Sequence, residues 1–538
     1  MPPTPAPRPT RADGELLALA DRVLQPGFRG TTAPDWIRRR LSGGLGSVLL
    51  FGPNIRDRAQ TAALTAALRA ENPDVLIAVD EEGGDITRLE AATGSSYPGN
   101  LALGTVDDPE LTAAVATSVG GELRAVGIGL DYAPDADVNS NPDNPVIGVR
   151  SFGADPTVVA RHTAAWVRGL HDAGVAACAK HFPGHGDTDT DSHLDLPTVA
   201  MDADRIAELA LPPFRAALAA GARAVMTAHL LIPAYDPDRP ATVSPRVIIQ
   251  LLRQELGFDG LVVSDAIEMQ AVRARYGLAG AAVRALSAGV DLICLGDRSG
   301  DTEFAGLRAA VADAVVRGEL PEERLAEAAA RTAGFATWQR ALAASVPAPS
   351  PDRALGLTAA RRALRISTDD AAALPLQTPA VLVEFGVPGT VVQGDAVPWG
   401  LGPALTALMP GTVRTTLPAL APFDPAQADR ILAEAAGRPL VLAVRDAHRR
   451  PAVRDWLRVL LARRPDAITV ELGVPHPGPA GAVRIDTHGA ARVCGQAAAE
   501  ALAGRTLSTR PPPGILLMST VPVFLPRLLS LRTVLSVP

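Results

Sequence analysis

The sequence predicts an α/β protein: a (β/α)8 TIM-type barrel followed by a smaller α/β sandwich domain. Roughly the first 340 residues alternate short apolar segments with helical patterns, which is typical of parallel strands joined by crossover helices. A Pro- and Ser-rich segment follows, and beyond it the same alternation resumes. At 538 residues the chain is about 3.6 times a domain of ~150 residues, which also favours two large units.

Seven predicted strands belong to the barrel. They are GSVLLF (46–51), VLIAVD (75–80), IGLDYAP (128–134), VAACAKHF (175–182), RAVMTAHL (223–230), GLVVSD (260–265) and VDLICLG (290–296). Two intervening helices begin at Asp108-Pro109 and Asp155-Pro156, where aspartate caps a helix and proline occupies its first turn. Seven strands with crossover helices over about 300 residues favour a closed barrel over an open sheet, with the eighth strand inferred.

Composition and patterning divide the chain into five segments. We predict a disordered N-terminus (1–13), the catalytic barrel (14–343), a linker (344–352), the α/β sandwich (353–505) and a Pro-rich apolar tail (506–538) of unassigned role. Three apolar segments of the sandwich, AVLVEF (380–385), PLVLAVRD (439–446) and ITVELG (468–473), alternate with helices. This pattern predicts a parallel sheet.

Composition and charge exclude several classes of protein. Hydrophobic residues make up 47% and charged residues 20% of the chain, as in ordinary globular proteins. The net charge is −7 and no long basic block occurs, so we expect no nucleic-acid partner. No apolar segment is long enough for a membrane span. Three widely spaced cysteines, and a beginning without a signal-peptide pattern, predict a reducing, cytoplasmic location.

Polar side chains interrupt the predicted strands at their C-terminal ends. They are Asp80, Asp131, Lys180, His181, His229 and Asp265. In a (β/α)8 barrel all of these ends open onto one face, so we expect the side chains to converge there. Lys180 is the only lysine beside fifty arginines, which favours chemistry that needs a compact ammonium group rather than a planar guanidinium.

The densest polar segment is AKHFPGHGDTDTDSHLDLP, residues 179–197, which contains three of the nine histidines. One interpretation is a metal site, but the Pro-Gly pair between His181 and His185 removes the helical geometry that lets such a pair chelate. Another is an acid/base loop, in which Asp191 accepts a hydrogen bond from one ring nitrogen of His193 and leaves the other to move a proton. A third is that these residues only stabilise the loop.

The strand GLVVSD ends in Asp265, a second candidate for chemistry. A carboxylate at a barrel mouth suits a nucleophile that attacks a sugar anomeric carbon. Aspartates at strand ends also cap the following helix, so the residue by itself leaves both roles open.

Four segments together resemble glycoside hydrolase family 3, specifically its β-N-acetylglucosaminidase branch. They are AVDEEGGDITRL, DYAPDADVNSNPDNPVIGVRSFGADP, KHFPGHGDTDTDSH and LVVSDAIEM, in the family's order, between Gly46 and Gly296. The resemblance implies that Asp265 is the nucleophile of a covalent mechanism. It also implies that His193, supported by Asp191, is the acid/base, in place of the second carboxylate of most retaining glycosidases.

The resemblance further implies contacts with the substrate. Sugar hydroxyls would be bound by Asp80, Arg150, Lys180 and His181, with His229 as a further pocket residue. The motif region also holds half of the chain's six asparagines, Asn139, Asn141 and Asn144, which predicts a shaped turn. One position departs from the family pattern. Asp85 stands where the family commonly has arginine, so Arg88 is the next basic residue.

The implied activity is that of a retaining exo-β-N-acetylglucosaminidase, which hydrolyses terminal β-linked N-acetylglucosamine from a small oligosaccharide or amino-sugar glycoside. No metal or organic cofactor is expected. Family-level analogy indicates work on imported cell-wall or chitin fragments, as in peptidoglycan recycling. The alternatives are a β-N-acetylglucosaminide phosphorylase using the same residues, a β-glucosidase or β-xylosidase of the same family, a metal-dependent hydrolase, and a catalytically silent sugar-binding barrel. The sequence leaves the oligomeric state unknown.

Overall fold

The computed structural model describes residues 11–298, 300–368, 373–386, 397–418 and 420–505. The predicted N-terminal segment 1–13 lies outside this range except for its last three residues, which begin helix α1. The predicted tail 506–538 lies wholly outside it.

Helices and strands alternate through the first domain. They are α1 (Arg11–Val23), β1 (Leu24–Gln25), α2 (Asp35–Ser42), β2 (Ser47–Leu50), α3 (Arg58–Glu71), β3 (Leu76–Val79), α4 (Asn100–Val106), α5 (Pro109–Ala125), β4 (Leu130–Asp131), α6 (Pro156–Asp172), β5 (Ala176–Phe182), α7 (Ala203–Leu209), α8 (Pro212–Ala219), β6 (Ala224–Thr227), β7 (Leu231–Ile232), β8 (Asp236–Pro240), β9 (Leu261–Ser264), α9 (Gln270–Ala288), β10 (Ile293–Cys294), α10 (Asp301–Val316) and α11 (Glu322–Ser345). A π-helix spans Arg246–Glu255. The predicted helix starts are confirmed, because Asp108 and Asp155 each accept a hydrogen bond from the first turn that follows.

Eight parallel strands form the barrel, and all seven predicted strands are among them. Six lie in the order β2-β3-β4-β5-β6-β9, and β10 pairs in parallel with β1. Bridges Gly27–Leu49 and Val263–Leu292 join β1 to β2 and β9 to β10, which completes the ring. The eighth strand is therefore β1. Its two residues, Leu-Gln, are too short a segment to give a strand pattern in the sequence.

The second domain is an α/β sandwich. Its elements are α12 (Arg353–Ala363), β11 (Arg365–Thr368), β12 (Val381–Gly386), α13 (Gly402–Leu408), β13 (Val413–Pro418), α14 (Pro425–Glu434), β14 (Leu440–Val444), α15 (Pro451–Arg463), β15 (Ile468–Glu471), β16 (Val483–Asp486) and α16 (Arg492–Leu502). The sheet order is β11-β16-β15-β14-β12-β13, parallel except for β11 at the edge. Separate apolar clusters cover its two faces, one with α12, α13 and α16 and the other with α14 and α15.

The three predicted strands of the second domain are confirmed as β12, β14 and β15, whereas β11, β13 and β16 were not predicted. The missed strands have weaker apolar patterns than their neighbours. All four residues of β11 are exposed, and β13 and β16 alternate between more and less buried positions. Such strands lack the continuous apolar run that marks a strand buried on both faces.

Asp85, the departure from the family pattern, connects the two domains. Its Oδ2 lies 2.6 Å from Nη2 of Arg445, and its Oδ1 accepts a hydrogen bond of 2.8 Å from the amide of Ala490. Both partners belong to the second domain. Asp85 is buried in this interface, so its role is to join the domains rather than to contact a sugar.

Two further findings concern the described part of the chain. None of its helices is both long and apolar enough to cross a bilayer. The three cysteines of the chain, Cys178, Cys294 and Cys494, are all buried and form no disulfide.

Candidate active site

A cavity of about 640 Å³ opens at the carboxyl ends of the barrel strands. Six predicted site residues line it together: Asp80, Arg150, Lys180, His181, His193 and Asp265. They come from the ends of three strands, β3, β5 and β9, and from two loops. Three predicted residues do not line the cavity. Asp131 is buried below it, where its Oδ1 accepts a hydrogen bond of 2.9 Å from the Glu81 amide. Asp191 lies directly behind His193, and His229 lies in the packed wall.

Asp265 follows β9 and turns its carboxylate to the cavity. Its amide donates a hydrogen bond of 3.2 Å to Thr227 of β6, and its Oδ1 accepts one of 2.7 Å from the amide of Ala266. Burial favours the neutral acid, but the nearby histidines, His181 first, and the Ala266 amide outweigh burial and lower the pKa of Asp265 below its ordinary value. The group is therefore an ionised carboxylate at neutral pH.

His193 and Asp191 form a hydrogen-bonded pair on the loop after β5. His193 Nδ1 lies 2.7 Å from Asp191 Oδ1, and the His193 amide donates to the same oxygen at 2.9 Å. Burial raises the pKa of Asp191, but the His193 contacts outweigh burial and lower that pKa. Asp191 thus accepts the hydrogen bond of Nδ1–H and fixes the ring, which leaves Nε2 for a proton transfer.

His185 fastens this acid/base loop to the barrel. Its side chain is buried, with Nδ1 2.9 Å from Thr188 Oγ1 and Nε2 3.0 Å from Ser192 Oγ. Burial lowers the pKa of His185 to about 4, so the ring is neutral. The Ala271 amide of α9 also donates to the main-chain oxygen of Ser192, at 3.4 Å. The loop is thereby held by His185 on one side and by α9 on the other, next to His193.

Lys180 is buried between two carboxylates, one of which lines the cavity. Its Nζ lies 2.7 Å from Asp80 Oδ1 and 2.6 Å from Glu82 Oε1. Burial alone would lower the pKa of the ammonium group, but Asp80 and Glu82 outweigh burial and raise it. Lys180 is therefore a cation under all physiological conditions. This narrow space is suited to an ammonium group, which explains why the position holds the chain's only lysine.

Glu82 also pairs with Arg150. Arg150 donates from Nε and Nη2 to the two Glu82 oxygens at 2.9 and 2.8 Å, and its Nη2 lies 3.4 Å from His181 Nε2. His181 Nδ1 lies 2.8 Å from Asp137 Oδ2. Burial opposes ionisation of Glu82, but Arg150 and Lys180 outweigh burial and lower its pKa. Arg150, Lys180 and His181 are thus oriented toward the cavity by buried carboxylates.

The substrate contact predicted for His229 is not supported by its position. The ring is fully buried, and its Nε2 donates a hydrogen bond of 3.0 Å to the main-chain oxygen of Ala266. Its Nδ1 lies 2.8 Å from Thr242 Oγ1. Both ring nitrogens are therefore used within the barrel wall, and His229 supports the backbone beside Asp265 instead of facing a sugar.

Several site residues were missed by the sequence reasoning. Glu82 and Asp137 position the lining residues, while His185, Arg88 and Glu268 line the cavity themselves. The first four lie inside the motifs AVDEEGGDITRL, DYAPDADVN and KHFPGHG, and Glu268 lies in LVVSDAIEM, so motif membership was an available signal. It could not indicate which of several adjacent carboxylates faces which cation.

One group of side chains could hold a metal ion by its chemistry. Single ligand atoms of Asp135, Asp137 and His181 lie within 4.8 Å of one another, and all three residues are buried. Arg150 Nη2 lies 3.7 Å from Asp135 Oδ2, however, and His181 Nδ1 and Asp137 Oδ2 are hydrogen-bonded to each other. A guanidinium so close to the group disfavours a second cation, so the residues fit a metal poorly.

Comparison with known proteins gives matches over both domains. The family model described as "Glycosyl hydrolase family 3 N terminal domain" matches residues 32–334. A glycoside hydrolase family 3 β-N-acetylglucosaminidase from Paenibacillus sp. str. FPU-7 has a similar structure, with a TM-score of 0.82 and 34% sequence identity. That match covers 93% of this chain and 97% of the other.

Two curated relatives match about half of this chain. Beta-hexosaminidase A from Pseudoalteromonas piscicida is 37% identical over 333 residues, which cover 57% of this chain and 56% of the relative. The chain therefore spans little more than half the length of that protein. Beta-hexosaminidase from Stenotrophomonas maltophilia (strain K279a) is 41% identical over 266 residues, covering 48% of this chain and 77% of the relative.

Proposed function

The chain belongs to glycosyl hydrolase family 3, and on that premise we propose that it is a retaining exo-β-N-acetylglucosaminidase. The observation that most supports this proposal is that an ionised Asp265 and the imidazole of His193 line one cavity, with His193 already bonded to Asp191. A carboxylate and an acid/base group facing one bound sugar are the two components that retaining hydrolysis requires.

In the first step, an Asp265 oxygen attacks the anomeric carbon and the glycosidic bond breaks. His193 Nε2 gives its proton to the leaving oxygen, so the aglycone departs as a neutral alcohol. In the second step, His193 takes a proton from water, and that water attacks the anomeric carbon and frees Asp265. Asp191 holds the ring in one orientation and stabilises its charged form in both steps.

The remaining lining residues would fix the sugar ring. Asp80, Lys180, His181 and Arg150 offer donors and acceptors of defined position, because each is itself held by a buried partner such as Glu82 or Asp137. Because these side chains are already fixed, the energy of sugar binding is available to orient the anomeric carbon toward Asp265. The mechanism calls for no metal or organic cofactor.

A beta-hexosaminidase of this kind would act on small amino-sugar glycosides. We propose cell-wall or chitin fragments as the source and peptidoglycan recycling in the cytoplasm as the setting. Three buried, unpaired cysteines support a reducing compartment. Cell fractionation followed by immunoblotting would test the location, and recovery of the protein outside the cytoplasmic fraction would contradict it.

The activity is tested with aryl β-glycosides that differ only at the 2-position, assayed in buffers with and without phosphate. We expect the 2-acetamido substrate to be turned over at least ten times faster than the 2-hydroxyl substrate, and the product to be free N-acetylglucosamine in both buffers. A sugar phosphate as the main product would instead identify a phosphorylase. Faster turnover of the 2-hydroxyl substrate would identify a β-glucosidase.

A further inference from the structure

The second domain contacts the barrel loop 139–150, here called the substrate loop because it ends at Arg150. Arg449 Nη1 donates a hydrogen bond to the main-chain oxygen of Asn144. His448 Nε2 donates another, of 3.1 Å, to the main-chain oxygen of Pro142. Two adjacent residues of the second domain therefore hold the middle of a loop that carries a sugar-binding arginine.

Asn144 connects this interdomain contact to the candidate active site. Its side chain is fully buried, and its Oδ1 accepts hydrogen bonds from the amides of Val146 at 3.0 Å and Ile147 at 2.8 Å. Its Nδ2 donates to the main-chain oxygen of His185 at 2.9 Å. A restraint on Asn144 therefore acts on the substrate loop and on the acid/base loop together.

Two hydrogen bonds within the substrate loop then restrain Arg150. The main-chain oxygen of Val146 accepts a hydrogen bond of 3.2 Å from Arg150 Nη1, and the Arg150 amide donates to Ile147 at 3.0 Å. The two residues whose amides Asn144 holds are thus also the two residues of the substrate loop that bond to Arg150. Three hydrogen bonds, through Asn144 and Val146, connect Arg449 to the guanidinium in the cavity.

Arg449 is itself preorganised for this contact. Its Nη2 donates to Asp446 Oδ2 at 2.8 Å, and Asp446 Oδ1 accepts from the amide of Val474 at 2.9 Å. The Asp446 amide donates to Glu471 Oε1 at 2.8 Å. An arginine fixed in this way loses little conformational freedom when it binds a carbonyl group.

We propose that Arg449 is a positioning residue through which the second domain holds the substrate loop, and with it Arg150, in the geometry that binds the sugar. The proposal rests on the function proposed above. It assigns a part in catalysis to a domain whose sequence carries no motif for one.

The test compares Arg449→Ala, Arg449→Lys and a matched control, Arg365→Ala, in the full-length protein. Arg365 also reaches from the second domain to a barrel carbonyl, donating 2.7 Å to Thr105 in α4, but it does not touch the substrate loop. Two readouts are needed: kcat and KM on an aryl β-N-acetylglucosaminide, and hydrogen exchange of the amides in residues 139–150.

For Arg449→Ala we expect KM to rise about tenfold with a smaller change in kcat, and the substrate loop to exchange faster. Arg449→Lys keeps a hydrogen-bond donor. Its log KM should therefore lie at least halfway back from the Arg449→Ala value to the wild-type value. Arg365→Ala should leave both readouts within twofold of wild type even if it lowers the melting temperature equally. This pattern separates positioning from a general loss of stability.

The proposal is overturned if Arg449→Ala leaves either loop exchange or KM unchanged, or if Arg365→Ala changes both as strongly. An inactive wild-type protein would refute the proposed function instead. Loop exchange, which needs no substrate, would then still decide whether Arg449 restrains the substrate loop.

Discussion

The barrel mouth and the carboxyl edge of the second-domain sheet place similar groups at the ends of parallel strands. In the barrel, Lys180 near the end of β5 and Asp265 directly after β9 face a cavity. In the second domain, Asp446 follows β14 and Glu471 ends β15, but their oxygens accept hydrogen bonds from neighbouring amides. The difference shows that the strand-end edge supplies polar groups in both domains, and that an open cavity above it distinguishes the candidate active site of the barrel from the supporting edge of the second domain.

His193→Ala tests whether the barrel mouth is the active site, and we expect the largest effect from this change. We expect a loss of about 10² to 10⁴ in kcat/KM on substrates with poor leaving groups, because only these need a proton donor when the bond breaks. An activated aryl glycoside should lose much less in its first step. Equal losses on both substrate types would mean that His193 is not the acid.

Glu82→Gln tests whether charge pairing maintains the barrel site. Glu82 is buried and is paired with both Arg150 and Lys180, so its neutralisation should cost about 3 to 5 kcal/mol of unfolding free energy at pH 7. The lowered pKa of Glu82 means that this stabilisation is present above the ordinary glutamate range and is lost as the pH falls. Urea unfolding at pH 7 measures the effect, and a cost below about 1 kcal/mol would contradict the role.

Glu471→Gln, in the second domain, should raise the free energy of unfolding at alkaline pH, whereas Glu82→Gln lowers it at pH 7. Burial, and then Asp446, raise the pKa of Glu471 to about 7, above its unfolded value. Its contribution to stability is therefore full below about pH 4.5 and is lost as the pH rises through about 7. We expect the variant to be more stable than wild type by about 1 to 3 kcal/mol at pH 8, with little difference at pH 4.5. A destabilised variant at pH 8 would show that the ionised carboxylate is needed.

Chelation should have the smallest effect of all. Arg150 lies beside the group of Asp135, Asp137 and His181, so we expect dialysis against EDTA to leave kcat and KM unchanged. The activity of dialysed protein, with and without added zinc, checks this. Loss of activity that zinc restores would identify a metal-dependent enzyme.

The sequence predicted those parts of the molecule that follow from local pattern. The barrel strands and the convergence of Lys180, His181 and Asp265 follow from apolar segments that end in polar residues. Strand β1 was missed because two residues carry no periodicity. The buried position of His229 could not be predicted for a different reason, since its partners Thr242 and Ala266 come from other segments, whose approach depends on tertiary packing.

The contacts between domains could not be predicted for a related reason. Arg449 and Asn144 are 305 residues apart, and nothing in either segment marks a partner. Asp85 differed from the family pattern, but only the docked second domain reveals Arg445 as the group it faces. Pairing across such distances depends on how two finished domains pack together.

The central claim is that Asp265 forms a bond with the sugar while His193 moves the proton. The most direct measurement is mass spectrometry of peptides from protein treated with an activated 5-fluoro glycosyl fluoride of N-acetylglucosamine, which slows release of the sugar from its carrier. We predict one sugar per chain, attached to the peptide that contains Asp265, and no label on Asp265→Ala. A label on another residue, or turnover with inversion at the anomeric carbon, would contradict the account.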